Sequence, residues 1–406
     1  MAINYRTLDW KLPLAAALLT LIGIGLIYSA HYYSGSEMRQ EFYERQAIWF
    51  SISLVLAAIV LHLPLRFFDA ASYVLYGFAL VLLIAVLVFG STRLGATRWF
   101  NLGPLSLSPS DIAKLAMLLV LARFFAYTRG NPLTVRNLVA SAALTLIPVA
   151  LILKQPDLGT SLVFFALMIG AWFWSGLSPG FLALLLSPIV SLVASADTLA
   201  WALYIAALLG LVFLLRPGVV FGSITVATNV ACGIITPFVW NSLHEYQKLR
   251  ILTFLDPGQD PRGAGYQIIQ SRVSIGSGGL SGKGFLNSTQ SRLEFLPERH
   301  TDFVFSVLGE EFGFLGCLLV LALLAFLLSR MVRIALRCRS KFSSYVVFGA
   351  ATVILFQVFV NIGMTIGITP VTGLPLPFLS YGGTSLLFSW TLIALALAAD
   401  NTWQEY

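Results

Sequence analysis

The run Leu318-Leu-Val-Leu-Ala-Leu-Leu-Ala-Phe-Leu-Leu328 holds no polar side chain, and Phe78 to Phe89 is equally apolar. Neither run alternates polar and apolar residues as a strand of a membrane barrel must, so helices are the spanning element. Outward from these runs the whole chain has the same texture: of 406 residues, 58% are hydrophobic and 11% charged. Many apolar stretches approach the roughly 20 residues that carry a helix across a bilayer. The expected fold is all-α, a polytopic helical membrane protein of about 10 to 12 transmembrane helices.

Twelve spans are read: Leu12 to Ala30, Ala47 to Leu63, Tyr73 to Phe89, Asp111 to Tyr127, Leu138 to Leu153, Thr160 to Trp174, Phe181 to Val193, Leu199 to Leu215, Val219 to Trp240, Phe303 to Leu328, Tyr345 to Gly367 and Leu379 to Ala398. With the N-terminus inside, twelve of the 25 basic residues fall in or beside the inner loops, Arg129, Arg216, Arg333 and Arg339 among them. That bias sets the orientation and puts the long segment 241–302 outside. The first run follows Lys11, has no small-residue cleavage site and reads as an uncleaved span. The net charge of +7 follows from the inner loops and argues for no nucleic-acid partner. Cys232, Cys317 and Cys338 lack metal-ligand spacing and a paired framework, so neither zinc nor a disulfide is expected. No long-period repeat or linker divides the chain, which reads as one membrane domain, 1–406, with one large extracytoplasmic loop.

Chemistry is expected where charge is concentrated. The stretch Glu294-Phe-Leu-Pro-Glu298-Arg299-His300-Thr301-Asp302 sets five ionisable groups against the start of an apolar helix. At such a seam they need partners, water or a function. A second set is Arg93, Arg98, Trp99 and Ser108-Pro-Ser-Asp-Ile-Ala-Lys114. Ser108, Pro109 and Asp111 read as cap, first-turn proline and first-turn carboxylate. Lys114 lies one turn inside the span on the face of Asp111, and two readings stand: an intrahelical pair, or a cation for a pyrophosphate. A third set, Lys154-Gln-Pro-Asp157-Leu-Gly-Thr160, fills a short outer turn in which Asp157 reads first as a helix cap. In the outer loop, Leu249 to Leu255 is amphipathic and suits the membrane interface. Gly276-Ser-Gly-Gly-Leu-Ser-Gly-Lys-Gly284 fails as a phosphate loop, since Gly284 replaces the required Ser or Thr. A tight turn is the main reading of it, with a backbone nest for a pyrophosphate as the other.

Gly263-Ala-Gly-Tyr-Gln-Ile-Ile-Gln-Ser271, Phe295-Leu-Pro-Glu-Arg-His-Thr-Asp-Phe-Val-Phe305 and Gly309-Glu-Glu-Phe-Gly313 closely resemble the SEDS family, the shape, elongation, division and sporulation proteins. Pro109-Ser-Asp-Ile-Ala-Lys114, Gln155-Pro-Asp-Leu-Gly159, Val360-Asn-Ile-Gly-Met364 and Pro377-Phe-Leu-Ser-Tyr-Gly-Gly383 extend the resemblance over nearly the whole chain. Ser288-Thr-Gln290, Glu294-Phe295 and Arg299 before His300 look like the elongation branch more than the division branch. Two departures stand out. Asp111 occupies a position where the family usually has Glu, and residues 160–240 leave room for an extra helix pair beyond the family's usual ten spans.

The resemblance implies a peptidoglycan glycosyltransferase that polymerises lipid II on the outer face of a bacterial cytoplasmic (inner) membrane during cell elongation, releasing undecaprenyl pyrophosphate. Asp302 is carried over as the base on the attacking hydroxyl, with a solution value near 4 that leaves it ionised at neutral pH. Arg93, Arg98, Trp99, Asp111, Lys114, Gln155, Asp157, Glu298, Arg299 and His300 are the candidate substrate-binding residues. A divalent cation, Mg or Mn, is a candidate electrostatic clamp, with Asp302, Glu298 and Asp157 as oxygen ligands. No organic cofactor is expected. The implied partners are a class B penicillin-binding protein transpeptidase, the elongation machinery and membrane lipids. The competing classes are a lipid II flippase, which needs charges spaced through several spans, and a catalytically silent cell-wall scaffold.

Overall fold

The computed structural model describes residues 8–32, 37–93, 96–102, 105–242, 248, 252, 256–261, 265–292, 295–296 and 298–402. The helices in chain order are α1 (Lys11–His31), α2 (Glu37–His62), α3 (Leu65–Phe89), α4 (Pro109–Tyr127), α5 (Val135–Leu153), α6 (Leu158–Trp174), α7 (Pro179–Ala194), α8 (Thr198–Leu215), α9 (Val219–Ser242), α10 (Tyr266–Ser277), α11 (Thr289–Arg292), α12 (Val304–Arg337), α13 (Lys341–Ile366) and α14 (Gly383–Thr402). Among the described residues, nine are long and apolar enough to cross a membrane. α6 and α7 are shorter apolar helices, and α4 carries three charges within its 19 residues. The protein is a helical integral membrane protein, and each expected span falls on one helix. The largest boundary differences are α2, which begins at Glu37 rather than Ala47, and α12, which passes Leu328 and continues to Arg337. The cationic end of α12 is held at Arg330, which pairs with Asp9.

The apolar pattern gave no sign of the short antiparallel meander between α3 and α4, β1 (Ser91–Arg93), β2 (Ala96–Leu102) and β3 (Leu105–Leu107). Thr92 pairs with Thr97 and Phe100 with Leu107. Threonine and aromatic residues suit a pleated ribbon, but runs this short carry little periodic signal.

The caps are mixed. Asp157 caps α6 as expected, accepting from the Thr160 amide at 3.0 Å and its hydroxyl at 2.9 Å. Ser108 does not cap α4 with its side chain, contrary to expectation; its hydroxyl meets that of Ser110 at 2.8 Å. Leu249 to Leu255 lies almost entirely outside the described residues.

α12 breaks at Gly313 (φ 61, ψ −160), and the glycine-rich loop repairs the break. The Phe314 and Leu315 amides donate to Gly279 and Leu280 carbonyls at 2.9 and 3.1 Å. In return, Lys283 and Gly284 amides donate to the carbonyls of Glu310 and Glu311 at 3.0 and 2.9 Å. Non-helical backbone in a membrane protein persists where protein satisfies it in this way. A Cβ at Gly278, Gly282 or Gly313 would collide with the facing backbone, which is why glycine occupies all three positions. The amides of Gly282, Lys283 and Gly284 are thereby used within the chain and are not available to a pyrophosphate nest.

The chain forms two compact units, residues 1–171 with 261–406, and residues 172–260. In the first, α1, α4, α13 and α14 contribute a closely packed interior that includes Leu12, Leu19, Met117, Leu119, Ile354 and Leu392. The second contains α7, α8 and α9, and here polar side chains make the joints. Asn229 donates to the Ser187 hydroxyl at 2.7 Å and accepts from the Tyr204 hydroxyl at 2.9 Å, while Ser191 donates to the Asn229 carbonyl at 2.7 Å. Lipid is as apolar as leucine, so association of helices relies on close packing and such bonds rather than on exclusion from water.

Candidate active site

Asp302 sits in a tight turn immediately before α12. The Glu298 carbonyl, at a residue with φ 51, accepts from the amides of Thr301, Asp302 and Phe303 at 3.2, 3.1 and 3.3 Å. From α13 the buried Asn361 side chain donates to the Asp302 carbonyl at 3.1 Å and to the Leu374 carbonyl at 2.8 Å. Two segments distant in sequence therefore hold the main chain of this turn. The Asp302 carboxylate faces Gly373, where a Cβ would lie 3.7 Å from Oδ2 and where φ is 71. Among the described residues no hydrogen bond to that carboxylate is formed. Burial pushes its pKa up from 3.8 to about 6, and the nearby Glu298 charge adds to the rise. The solution-like value near 4 is thus corrected by the tertiary surroundings.

The rest of the ionisable run divides by environment. His300 stacks on Phe42 (ring centroids 4.7 Å apart) and lies edge-on to His31 at 4.9 Å. Its carbonyl accepts from the Tyr381 amide at 2.8 Å, which ties the turn to the segment before α14. Arg299 is buried. Glu298 is exposed and accepts from the Thr301 hydroxyl at 3.0 Å. Glu294 lies outside the described residues.

The Gln155–Asp157 turn comes to the same place. Gly159 abuts the Thr372 carbonyl and Leu374, in the segment that presents Gly373 to Asp302. Both Asp157 oxygens are engaged by Thr160, and Gln155 is buried with its amide directed to the Leu83 carbonyl at 3.3 Å. Both residues brace the wall of the site. On α4, Lys114 and Asp111 form an ion pair of 2.6 Å, and the lysine ammonium lies over the Phe388 ring at 4.7 Å. Arg93, Arg98 and Trp99 have their backbones on β1 and β2, and their side chains lie outside the described residues.

Among the described residues no three His, Cys, Asp or Glu side chains gather into a metal cage. Asp157 and Glu298, the candidate oxygen ligands beside Asp302, accept hydrogen bonds from the Thr160 and Thr301 hydroxyls.

Sequence reasoning passed over Asn361, Gly373 and Glu310. A polar or ionisable residue within an apolar span is a signal that could have found Asn361 and Glu310; nothing local marks Gly373.

The family model described as cell cycle protein, covering FtsW, RodA and SpoVE, matches residues 9–204 and again 180–404. The peptidoglycan glycosyltransferase MrdB of Escherichia coli (strain K12) is 38% identical over 386 residues, covering 95% of this chain and 92% of that protein. The peptidoglycan glycosyltransferase RodA of Treponema pallidum (strain Nichols) is 34% identical, covering 96% of each. A solved structure described as "Structural coordination of polymerization and crosslinking by a peptidoglycan synthase complex" superposes with a TM-score of 0.74 at 31% identity, over 99% of this chain and 100% of that one.

Proposed function

The chain belongs to the FtsW/RodA/SpoVE cell cycle family, the SEDS proteins, and from that premise we propose that the Asp302 turn is the general-base site of a lipid II polymerase. The protein is a membrane-embedded peptidoglycan glycosyltransferase. In the reaction, the acceptor's C4 hydroxyl oxygen forms a bond to the donor's anomeric carbon. The bond from that carbon to the α-linked pyrophosphate breaks, its electron pair leaves with undecaprenyl pyrophosphate, and the new linkage is β. The hydroxyl proton passes to Asp302. A carboxylate with a pKa near 6 is ionised at neutral pH yet takes a proton more readily than a solvated one.

Lys114 is the cation we assign to the departing pyrophosphate, assisted by Arg93 and Arg98 on the adjoining strands. A divalent ion enters this reading with the substrate, because magnesium keeps most of its waters and takes one or two carboxylates alongside phosphate oxygens. A chelator titration of the polymerisation rate tests that part. The bias of basic residues supports an active site facing outward from the inner membrane. The MrdB and RodA relatives support a role in elongation, and the synthase complex supports a class B transpeptidase partner.

The observation that carries the proposal is a half-buried carboxylate that receives no hydrogen bond from the described residues, at the meeting point of three loops. Its test is polymerisation of labelled lipid II by the purified complex. Asp302→Asn should fold, bind lipid II and make no glycan; a variant that keeps more than about a tenth of the rate removes the assignment, given the 10²- to 10⁴-fold normally supplied by a base.

A further inference from the structure

Glu310 and the glycine loop have no part in the proposed transfer, yet Glu310 makes more hydrogen bonds than Asp302, eight residues before it. We propose that Glu310 is a positioning residue for the catalytic turn: its carboxylate ties the start of α11 to the helix that begins just after Asp302, closing residues 290–302 into a loop of fixed span. This inference rests on the reading of Asp302 as the base.

Glu310 is fully buried, two turns into α12. Oε1 accepts from Lys283 Nζ at 2.6 Å, the Thr289 amide at 2.9 Å and the Thr289 hydroxyl at 2.7 Å. Oε2 accepts from Ser288, and from Ser274 at 3.1 Å. The Gln290 amide is shared between the two oxygens at 3.3 and 3.4 Å. A carboxylate has about four lone-pair sites, so this one is saturated, and charge-assisted bonds of this kind are short and strong.

The grip at 289–290 governs the chain that leads into the site. The Phe295 amide donates to the Gln290 carbonyl at 3.1 Å, Leu296 is buried, and the chain then enters the Glu298 turn that presents Asp302. Beyond Asp302 it enters α12 and returns to Glu310. One side chain thus fixes the upstream end of the segment against its downstream end. On the other side, α10 holds the first turn of α12 through Ser271, 2.6 Å from the Ser306 hydroxyl, and Ser274, 3.1 Å from the Ser306 carbonyl. The start of α12 is clamped between α10 and α11, and Glu310 is the α11 jaw.

A purely folding role explains less. Thr289 is exposed and the Lys283 side chain is 28% exposed, so these two could be hydrated without Glu310, and only the buried Ser274 and Ser288 hydroxyls would be stranded. What water cannot replace is the distance constraint. A reacting group displaced by about 1 Å costs on the order of 100-fold in rate.

The test uses the full-length enzyme with its transpeptidase partner in nanodiscs. Glu310→Ala should lower kcat on the order of 10- to 100-fold, with KM for lipid II within about twofold. Glu310→Gln, which keeps one acceptor oxygen, should recover part of the loss. Amide exchange at 289–290 and at 301–303 should quicken together while the rest of the first unit stays protected. Wild-type kcat per folded enzyme in Glu310→Ala overturns the inference. So does a loss of kcat without faster exchange at 301–303, or a loss that only follows the folded fraction. Asp302→Asn, assayed in parallel, separates the two readings: an active Asn variant removes the base itself, whereas an inactive one beside a fully active Glu310→Ala removes only the clamp.

Discussion

Around Glu310 each neighbouring donor points at the carboxylate, whereas the Asp302 side chain meets a glycine at 373 and the like charge of Glu298. The two groups share one segment and one acidic chemistry, and their surroundings divide the labour between them. Saturation makes Glu310 a joint, since moving it would strand several donors at once. Deprivation makes Asp302 reactive, since the protein stabilises its charge poorly and a proton is welcome. Sites that break the rules of polar satisfaction are the ones where function is expected.

The largest effect that could break this contrast is at Asp302. Replacement by Asn should cost about 10²- to 10⁴-fold in polymerisation, as a lost base does, while making the fold more robust in alkali. The sign follows from the raised pKa. Stability contributed by the neutral carboxyl is present below 3.8 and is lost as pH rises through about 6. The loss by pH 8 is at most about 3 kcal/mol, reduced by the solvent that reaches the half-buried group. Asp302→Asn escapes it, so its thermal midpoint should exceed that of the parent at pH 8 and match it at pH 4. A midpoint below the parent's at both pH values would place Asp302 with Glu310 as a structural carboxylate.

The Asp111–Lys114 pair lies between the two cases, and a cycle of variants decides which it resembles. Lys114→Met alone leaves Asp111 without its ion partner and should destabilise by roughly 3 to 5 kcal/mol. Removing both charges, with Asp111→Asn and Lys114→Met together, should restore most of that stability. If Lys114 stabilises the leaving pyrophosphate, the double variant stays about tenfold or more below the parent in polymerisation. Full recovery would make the pair a second joint of the Glu310 kind and sharpen Asp302 as the one reactive group.

The spans were legible because runs such as Leu318 to Leu328 have no other use than burial in lipid, and the Asp302 turn because charge is scarce beside them. The Asp157 cap was legible too, since cap and helix are neighbours in sequence. What escaped was whatever depends on partners distant in the chain. Glu310 sits in a run that reads as the start of a span, and its donors Lys283 and Ser288 to Gln290 lie 20 or more residues upstream with no periodicity linking them. Gly313 falls inside the expected span Phe303 to Leu328, and only the apposed loop shows that it marks a break. The shift of Asp302 arises from burial, which no local pattern encodes.

The smallest effect belongs to the second unit, where a saturated polar cluster occurs without any reactive neighbour described beside it. Asn229 is fully buried and bonded to Ser187, Tyr204 and the Thr225 carbonyl. Asn229→Leu keeps the volume but removes these bonds. Polar contacts between membrane helices average about 0.6 kcal/mol and reach about 1.7, because the separated helices find other partners. The variant should therefore unfold slightly earlier in a detergent titration and keep the parental kcat and KM. If satisfied clusters in this protein are only joints, stability is all that changes here; a fall in kcat without loss of folded protein would mean that α7, α8 and α9 take part in the reaction, and the division between joint and reactive group would have to be redrawn.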